Sequence, residues 1–179
     1  MEVKMKKLLV IFAILSVGFA GILSGCIQKG QGTLVIKLTD APSDLNITEA
    51  LITMSRLQVH YAGIDDENDT FGEWITIENE SQTFNLITLQ NASTLFGSAV
   101  LQAGIFTQIR LDVDQALVTI DGEQYDLEIP SKTVKLIKPF QVLENDTVTL
   151  TLDFDIQKSV HQTGSDKYIL RPTIKVIQE

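Results

Sequence analysis

From Thr33 onward the chain alternates apolar and polar residues with a period of two. Leu34, Ile36 and Leu38 share one phase; Val35, Lys37 and Thr39 share the other. Val148, Leu150, Leu152, Phe154 and Ile156 alternate with Thr147, Thr149, Thr151, Asp153 and Asp155. Successive side chains of extended backbone point to opposite faces, so each run predicts a half-buried strand. Ile109, Leu111 and Val113 alternate with Arg110, Asp112 and Asp114, then the phase slips near Gln115-Ala116 and resumes at Val118 and Ile120. An uncorrected slip would turn the apolar face outward, so a β-bulge is predicted there. Asp121-Gly122 follows, with Tyr125, Leu127 and Ile129 in alternation beyond it. Both central residues of a two-residue hairpin turn need φ > 0, which Asp-Gly tolerates, so this is a predicted hairpin.

Further strands are predicted at residues 49–61, 73–78, 133–142 and 167–177, with Pro172 marking an edge strand or a bulge. Residues 86–100 lack the two-residue period and read as a short helix or irregular crossover. Eight or nine short strands with one alternating layer predict an all-β fold. It would be a single two-sheet β-sandwich, immunoglobulin-like or transthyretin-like, over residues 33–178. No internal repeat or second domain interrupts it.

The first residues have a different grammar. Lys4, Lys6 and Lys7 precede an uncharged run over residues 8–23, followed by Ser24-Gly25-Cys26. A basic start, a short apolar stretch and small residues at a cleavage point make a secretory signal, here residues 1–25. The run of 16 residues falls short of the roughly 20 that span a bilayer comfortably. Leu23-Ser24-Gly25-Cys26 matches a lipobox, in which the cysteine becomes the lipid-bearing N-terminus. The alternative is an uncleaved apolar anchor that tilts or thins the bilayer. Both predict a domain outside the membrane and tethered to its extracellular face, with residues 26–32 as a short linker. Removing 25 of 179 residues leaves 154, enough for one domain with a real core. Cys26 is the only cysteine, so that domain holds together without a disulfide.

Charge narrows the partners. The exported part carries 11 Lys+Arg against 22 Asp+Glu, a net charge of −11. Such a surface repels nucleic acid and anionic headgroups. It leaves a cell-envelope protein or a glycan as the expected partner, and calcium as the one candidate ion. Five of the six asparagines begin an Asn-X-Ser/Thr sequon: Asn46, Asn68, Asn79, Asn91 and Asn145. Chance would give about one, so glycosylation is expected at these sites, in a cell with a surface N-glycosylation pathway such as an archaeon.

Several segments share a family pattern in order. They are Leu38-Thr39-Asp40-Ala41-Pro42, Trp74, Ala103-Gly104 with Gln108-Ile109-Arg110-Leu111, Leu152-Asp153-Phe154-Asp155 with Lys158-Ser159-Val160, and Tyr168-Ile169-Leu170-Arg171-Pro172-Thr173-Ile174-Lys175-Val176. Together they resemble the domain-of-unknown-function family numbered 4382. The resemblance implies an exported, often lipid-anchored protein of archaea or bacteria, and implies no activity or ligand. Phe106 departs from the pattern, which leads one to expect tyrosine there.

The sequence contains no Gly-X-Ser-X-Gly, P-loop, dinucleotide fingerprint or His-Glu-X-X-His. Ser159, His161 and Asp155 lie near one another in sequence, but read as surface residues at a strand end. The acidic stretch at residues 65–69 fails the EF-hand pattern: counted from Asp66, position six is Phe71 and position twelve is Ile77. Asp112/Asp114 and Asp153/Asp155 each project opposite an apolar strand face. On neighbouring strands these four carboxylates would form a candidate calcium site. The competing expectation is an exposed ion network with Arg110, Lys158 and Arg171. Trp74 and Tyr61 are candidate sugar-stacking rings, although a strand tryptophan is more often core. The sequence thus favours a non-catalytic cell-surface binding or envelope-structural module. Alternatives are a calcium-assisted carbohydrate-binding domain and a hydrolase using surface carboxylates.

Overall fold

The computed structural model describes residues 30–41, 46–63, 72–164 and 167–179. Cys26, Asn68, the apolar run 8–23 and the acidic stretch 65–69 lie outside the described residues. Two strands of 17 residues, β2 (Ile47–Gly63) and β6 (Gly104–Ile120), pair antiparallel and form the spine of the larger sheet. Each is long enough to take two shorter strands in tandem on its other side. β2 pairs with β4 (Gln82–Asn85) and then β3 (Glu73–Glu78). β6 pairs with β8 (Thr133–Val142) along its first half and with β7 (Glu123–Glu128) along its second. β7 continues to β11 (Lys167–Leu170), and β11 to β10 (Val160–Gly164).

The smaller sheet has four strands, in the order β12 (Ile174–Gln178), β9 (Thr147–Phe154), β1 (Gln31–Asp40) and β5 (Thr94–Gln102). β1 and β9 run parallel. A 3₁₀ turn over Leu86–Leu89 and the one-turn helix α1 (Ile156–Ser159) carry the chain between the sheets. The architecture is therefore an all-β sandwich. Its core lies between the facing sheets: Leu34, Ile36 and Leu38 of β1 and Leu150, Leu152 and Phe154 of β9 from one side, Ile52, Val59, Ile109 and Leu111 from the other. Phe106 is wholly buried, stacked on Phe140 at 5.1 Å between centroids and tilted against Tyr61 at 5.3 Å. A tyrosine hydroxyl in that position would have to find a partner inside the core.

The predicted bulge is present: Thr53 pairs with Gln115 and Met54 with Val113, so Asp114 is the extra residue. Val113 and Ala116 can then both stay buried. The hairpin is also present, with φ of 51° at Asp121 and 86° at Gly122. Four expectations need correction. Residues 86–100 are not one crossover; the 3₁₀ turn takes Leu86–Leu89, and most of the rest is strand β5. A register shift against β1 beside Phe96, with Ile36 opposite Gly97 and Lys37 opposite Leu95, hides the period in that strand. Residues 167–177 form two strands in different sheets, with Arg171-Pro172-Thr173 making the crossing. Ile156 leaves the strand pattern to start α1, yet stays fully buried. Twelve strands are present among the described residues rather than eight or nine; β4 and β10, at four and five residues, are too short for a period to show.

Candidate functional site

Alternation decides what the larger sheet shows to solvent. Ile75 and Ile77, Leu57 and Val59, Ile109 and Leu111, and Val134 and Leu136 turn toward the core. Their neighbours therefore face outward, in rows set by the register. One row is Trp74, His60, Gln108, Ile137, and the next is Thr76, Gln58, Arg110, Lys135. Below them Arg56, Asp112 and Thr133 lie side by side.

The chain's only tryptophan thus stands on the outer face and not in the core, against the usual habit of strand tryptophans. It is held on two sides: the His60 ring lies 5.0 Å from it at 56°, and the Arg110 guanidinium carbon sits 3.7 Å from the indole centroid. A guanidinium over an indole is a favourable cation–π contact of about 0.5–2 kcal/mol, depending on exposure. His60 is fixed in turn by a 2.9 Å hydrogen bond between Nδ1 and the Thr107 hydroxyl. Thr107 is the extra residue of a second bulge in β6, since Tyr61 pairs with Phe106 and His60 with Gln108. That bulge aims its hydroxyl outward, a common use of bulges beside functional sites. Gly72 closes the other side; a Cβ there would come within 2.3 Å of the His60 ring.

The four acidic candidates do not meet. Asp112 and Asp114 lie on β6 in the larger sheet; Asp153 lies on β9 in the smaller, with Asp155 just beyond it. The calcium site that required neighbouring strands is corrected accordingly. No group of three or more acidic, His or Cys residues arranged to hold a metal occurs among the described residues. Each carboxylate has its own environment. Asp112 accepts from Arg56 and from the Thr133 hydroxyl. Asp155 caps α1 by accepting from the Lys158 N–H at 3.0 Å, and it accepts from Lys158 Nζ at 2.6 Å. The hydrogen bond from the Lys158 side chain holds the Asp155 carboxyl below the usual range. Lys158 therefore plays the part expected of it, whereas Arg110 goes to Trp74 and Arg56 takes its place on Asp112. A melting temperature indifferent to both millimolar calcium and chelator is expected from this separation. A rise of several degrees with calcium, lost in Asp153→Asn, would contradict it.

Ser159, His161 and Asp155 do not form a catalytic set. Ser159 is fully buried; its hydroxyl donates to the Asp155 carbonyl at 2.6 Å and accepts from the Thr173 N–H at 2.9 Å. His161 is exposed on β10. Of the sequon asparagines, Asn46, Asn79, Asn91 and Asn145 are all exposed and outside strands. Asn85, the one asparagine without a sequon, is used internally: its side chain accepts from the N–H groups of Ala50 and Ile87, both at 3.3 Å.

Sequence reasoning missed Asp40. It ends β1 in phase with Leu34, Ile36 and Leu38, and only 2 % of it is exposed. One carboxylate oxygen accepts from the Ile156 N–H at 3.1 Å, while Oδ2 is buried without a hydrogen-bond partner. Burial pushes its pKa up to about 6; Ile156 and the nearby Gln90 amide oppose the shift, and the charges of Asp153 and Asp155 add to it. The phase of the alternation carried that signal, because the next core-facing position after Leu38 is Asp40.

Two solved structures share some resemblance in shape. One is a leucine-rich repeat protein from Bacteroides thetaiotaomicron, 13 % identical with a TM-score of 0.28, covering 73 % of this chain and 14 % of that one. The other is a "putative cell adhesion protein" from Bacteroides ovatus, 12 % identical with a TM-score of 0.22, covering 82 % of this chain and 44 % of that one. The chain thus spans less than half the length of either, and similarity at this level carries no functional argument. No curated protein matches the sequence. The family comparison is decisive for relationship: residues 31–172, from the first residue of β1 to the proline that crosses between the sheets, match the family described as domain of unknown function DUF4382, and the chain belongs to it.

Proposed function

We propose that this is an exported protein, tethered to the outer face of a cell membrane by a lipid on Cys26, whose domain works as a non-catalytic binding module. The observation that carries the binding role is the outward placement of Trp74, clamped between His60 and Arg110 on an open sheet face. A large aromatic side chain held rigid at the surface, away from a core already rich in Phe and Leu, offers contact area at little entropic cost. The tether rests on the signal and lipobox at residues 1–26. Exposure of Asn46, Asn79, Asn91 and Asn145 agrees with a glycosylated surface protein. Ser159 is buried with its hydroxyl bonded to two backbone groups, which disfavours a nucleophilic role for it.

Membrane fractionation of Cys26→Ser against the unaltered protein tests the tether. The variant is expected to lose its lipid mass and leave the mature membrane fraction, either as retained precursor or as shed protein. Native protein is expected to weigh more than polypeptide plus lipid, in glycan-sized steps. Unchanged partitioning and mass in Cys26→Ser would show that the apolar run itself is the anchor.

A further inference from the structure

We propose that the outer face of the larger sheet binds an acidic saccharide, its carboxylate held by Arg110 and Lys135 and its rings lying along the row from Trp74 to Ile137. This inference rests on the binding role proposed above and adds the class of ligand.

Arg110 and Lys135 stand directly opposite each other on β6 and β8, pointing to the same face. Like charges so placed destabilise a sheet by up to about 1 kcal/mol. The exported part holds 22 acidic residues and 11 basic ones, yet among the described residues no carboxylate forms an ion pair with either cation. Asp112, two residues along the same strand face, is committed to Arg56 and Thr133. Nε of Arg110 is buried without a hydrogen-bond partner. Two adjacent cations on one face, with no carboxylate partner among the described residues, attract an anion from outside, and the net negative charge of the domain disfavours nucleic acid.

The neighbours define what accompanies that anion. Trp74 and Ile137, which is 84 % exposed, supply apolar contact at the two ends of one row. Gln108 lies between them, and Gln58 beside Arg110, its amide already bonded to the Thr76 hydroxyl at 3.1 Å. Primary amides both donate and accept, and so match hydroxyl groups that do the same. A sugar ring combines these needs: C–H faces for the apolar contacts, hydroxyls for the amides, and in a uronic acid a carboxylate for the cations. Size selects the same class. Four strands at about 4.8 Å spacing make the row about 14 Å long, and two rows are about 7 Å wide. That suits a short oligosaccharide and falls far below the roughly 800 Å² per partner of a stable protein interface.

Because Trp74 is the only tryptophan, its fluorescence reports on this face alone. The experiment titrates the full chain in detergent micelles with oligogalacturonate and alginate oligosaccharides, their methyl esters, a neutral galactan oligosaccharide and poly-glutamate. A saturable change in emission is expected with the free uronates only. Binding should weaken at least tenfold in Arg110→Gln/Lys135→Gln, and remain in Lys167→Gln. Equal response to the methyl esters or to galactan would remove the role of the two cations while leaving a sugar-binding face. An equal response to poly-glutamate would show a general anion site and overturn the saccharide assignment. No response to any probe would overturn the ligand class, and the tether would still stand or fall on Cys26→Ser.

Discussion

Asp40→Asn is expected to stabilise the domain by about 3 kcal/mol at pH 8 and to change little at pH 4. The Asp40 carboxyl is buried at the end of β1, with Oδ2 unpartnered, and its pKa is raised from 3.8 to about 6 chiefly by desolvation. A carboxyl with a raised folded pKa binds its proton more tightly in the folded state than in the unfolded one. Its contribution is therefore fully favourable below about pH 4 and is lost as pH rises through 6. The interval corresponds to about 3 kcal/mol at the standard conversion. Asparagine keeps an oxygen to accept from the Ile156 N–H and carries no charge to bury. Urea unfolding of both proteins at pH 4, 6 and 8 isolates the effect, because every other titrating group is common to the pair. A difference between variant and parent that does not grow with pH would show that Asp40 is charged at no cost. Destabilisation by asparagine at pH 8 would show that its anion has a partner.

Gly32→Ala should be costly for a reason that has nothing to do with charge. A Cβ at Gly32 would lie 2.2 Å from the Leu143 carbonyl oxygen and 2.7 Å from Cγ1 of Val142. The carbonyl cannot move away cheaply. The turn that carries it is stitched to β1 by the Asn145 N–H on the Gln31 carbonyl and by the Thr33 N–H on the Asp146 carbonyl, both at 2.8 Å. Forcing an added methyl into such packing costs about 1–3 kcal/mol. For a chain of this length that lowers the melting temperature by roughly 2–12 °C. Gly164, with open space around it, is the control, and alanine there should leave the melting temperature unchanged. A Gly32→Ala protein that melts with the parent would mean that the β8–β9 turn yields freely and does not clamp β1.

The two positions illustrate different kinds of legibility. Asp40 was visible in principle, since its place in the phase of β1 follows from a period of two. What the phase does not reveal is the environment at that level, where α1 folds over the strand end and removes water from the carboxyl. Gly32 reads in the sequence as linker; its need for a missing side chain comes from a turn more than a hundred residues away. The same distinction runs through the outer face. Alternation states that Arg110 and Asp112 point away from the core, but not which strand lies beside β6 or which residue stands opposite.

The sequence by itself determined the strand class, the sandwich, the Asp121-Gly122 hairpin and a bulge near Gln115-Ala116, which the register then placed at Asp114, because all of these follow from side-chain period and turn conformation within a few residues. It also carried the sequons and the basic-then-apolar pattern of residues 1–26 on which the proposal of export rests, which are local motifs. Only the tertiary structure decided that Asp112/Asp114 and Asp153/Asp155 belong to different sheets, that Pro172 marks a crossing between sheets, and that Trp74, His60 and Arg110 converge on one face. Those facts depend on strand order and register across long separations. Period two is the same for every strand whatever its neighbour, so a pattern that fixes which way a side chain points leaves open what it meets there.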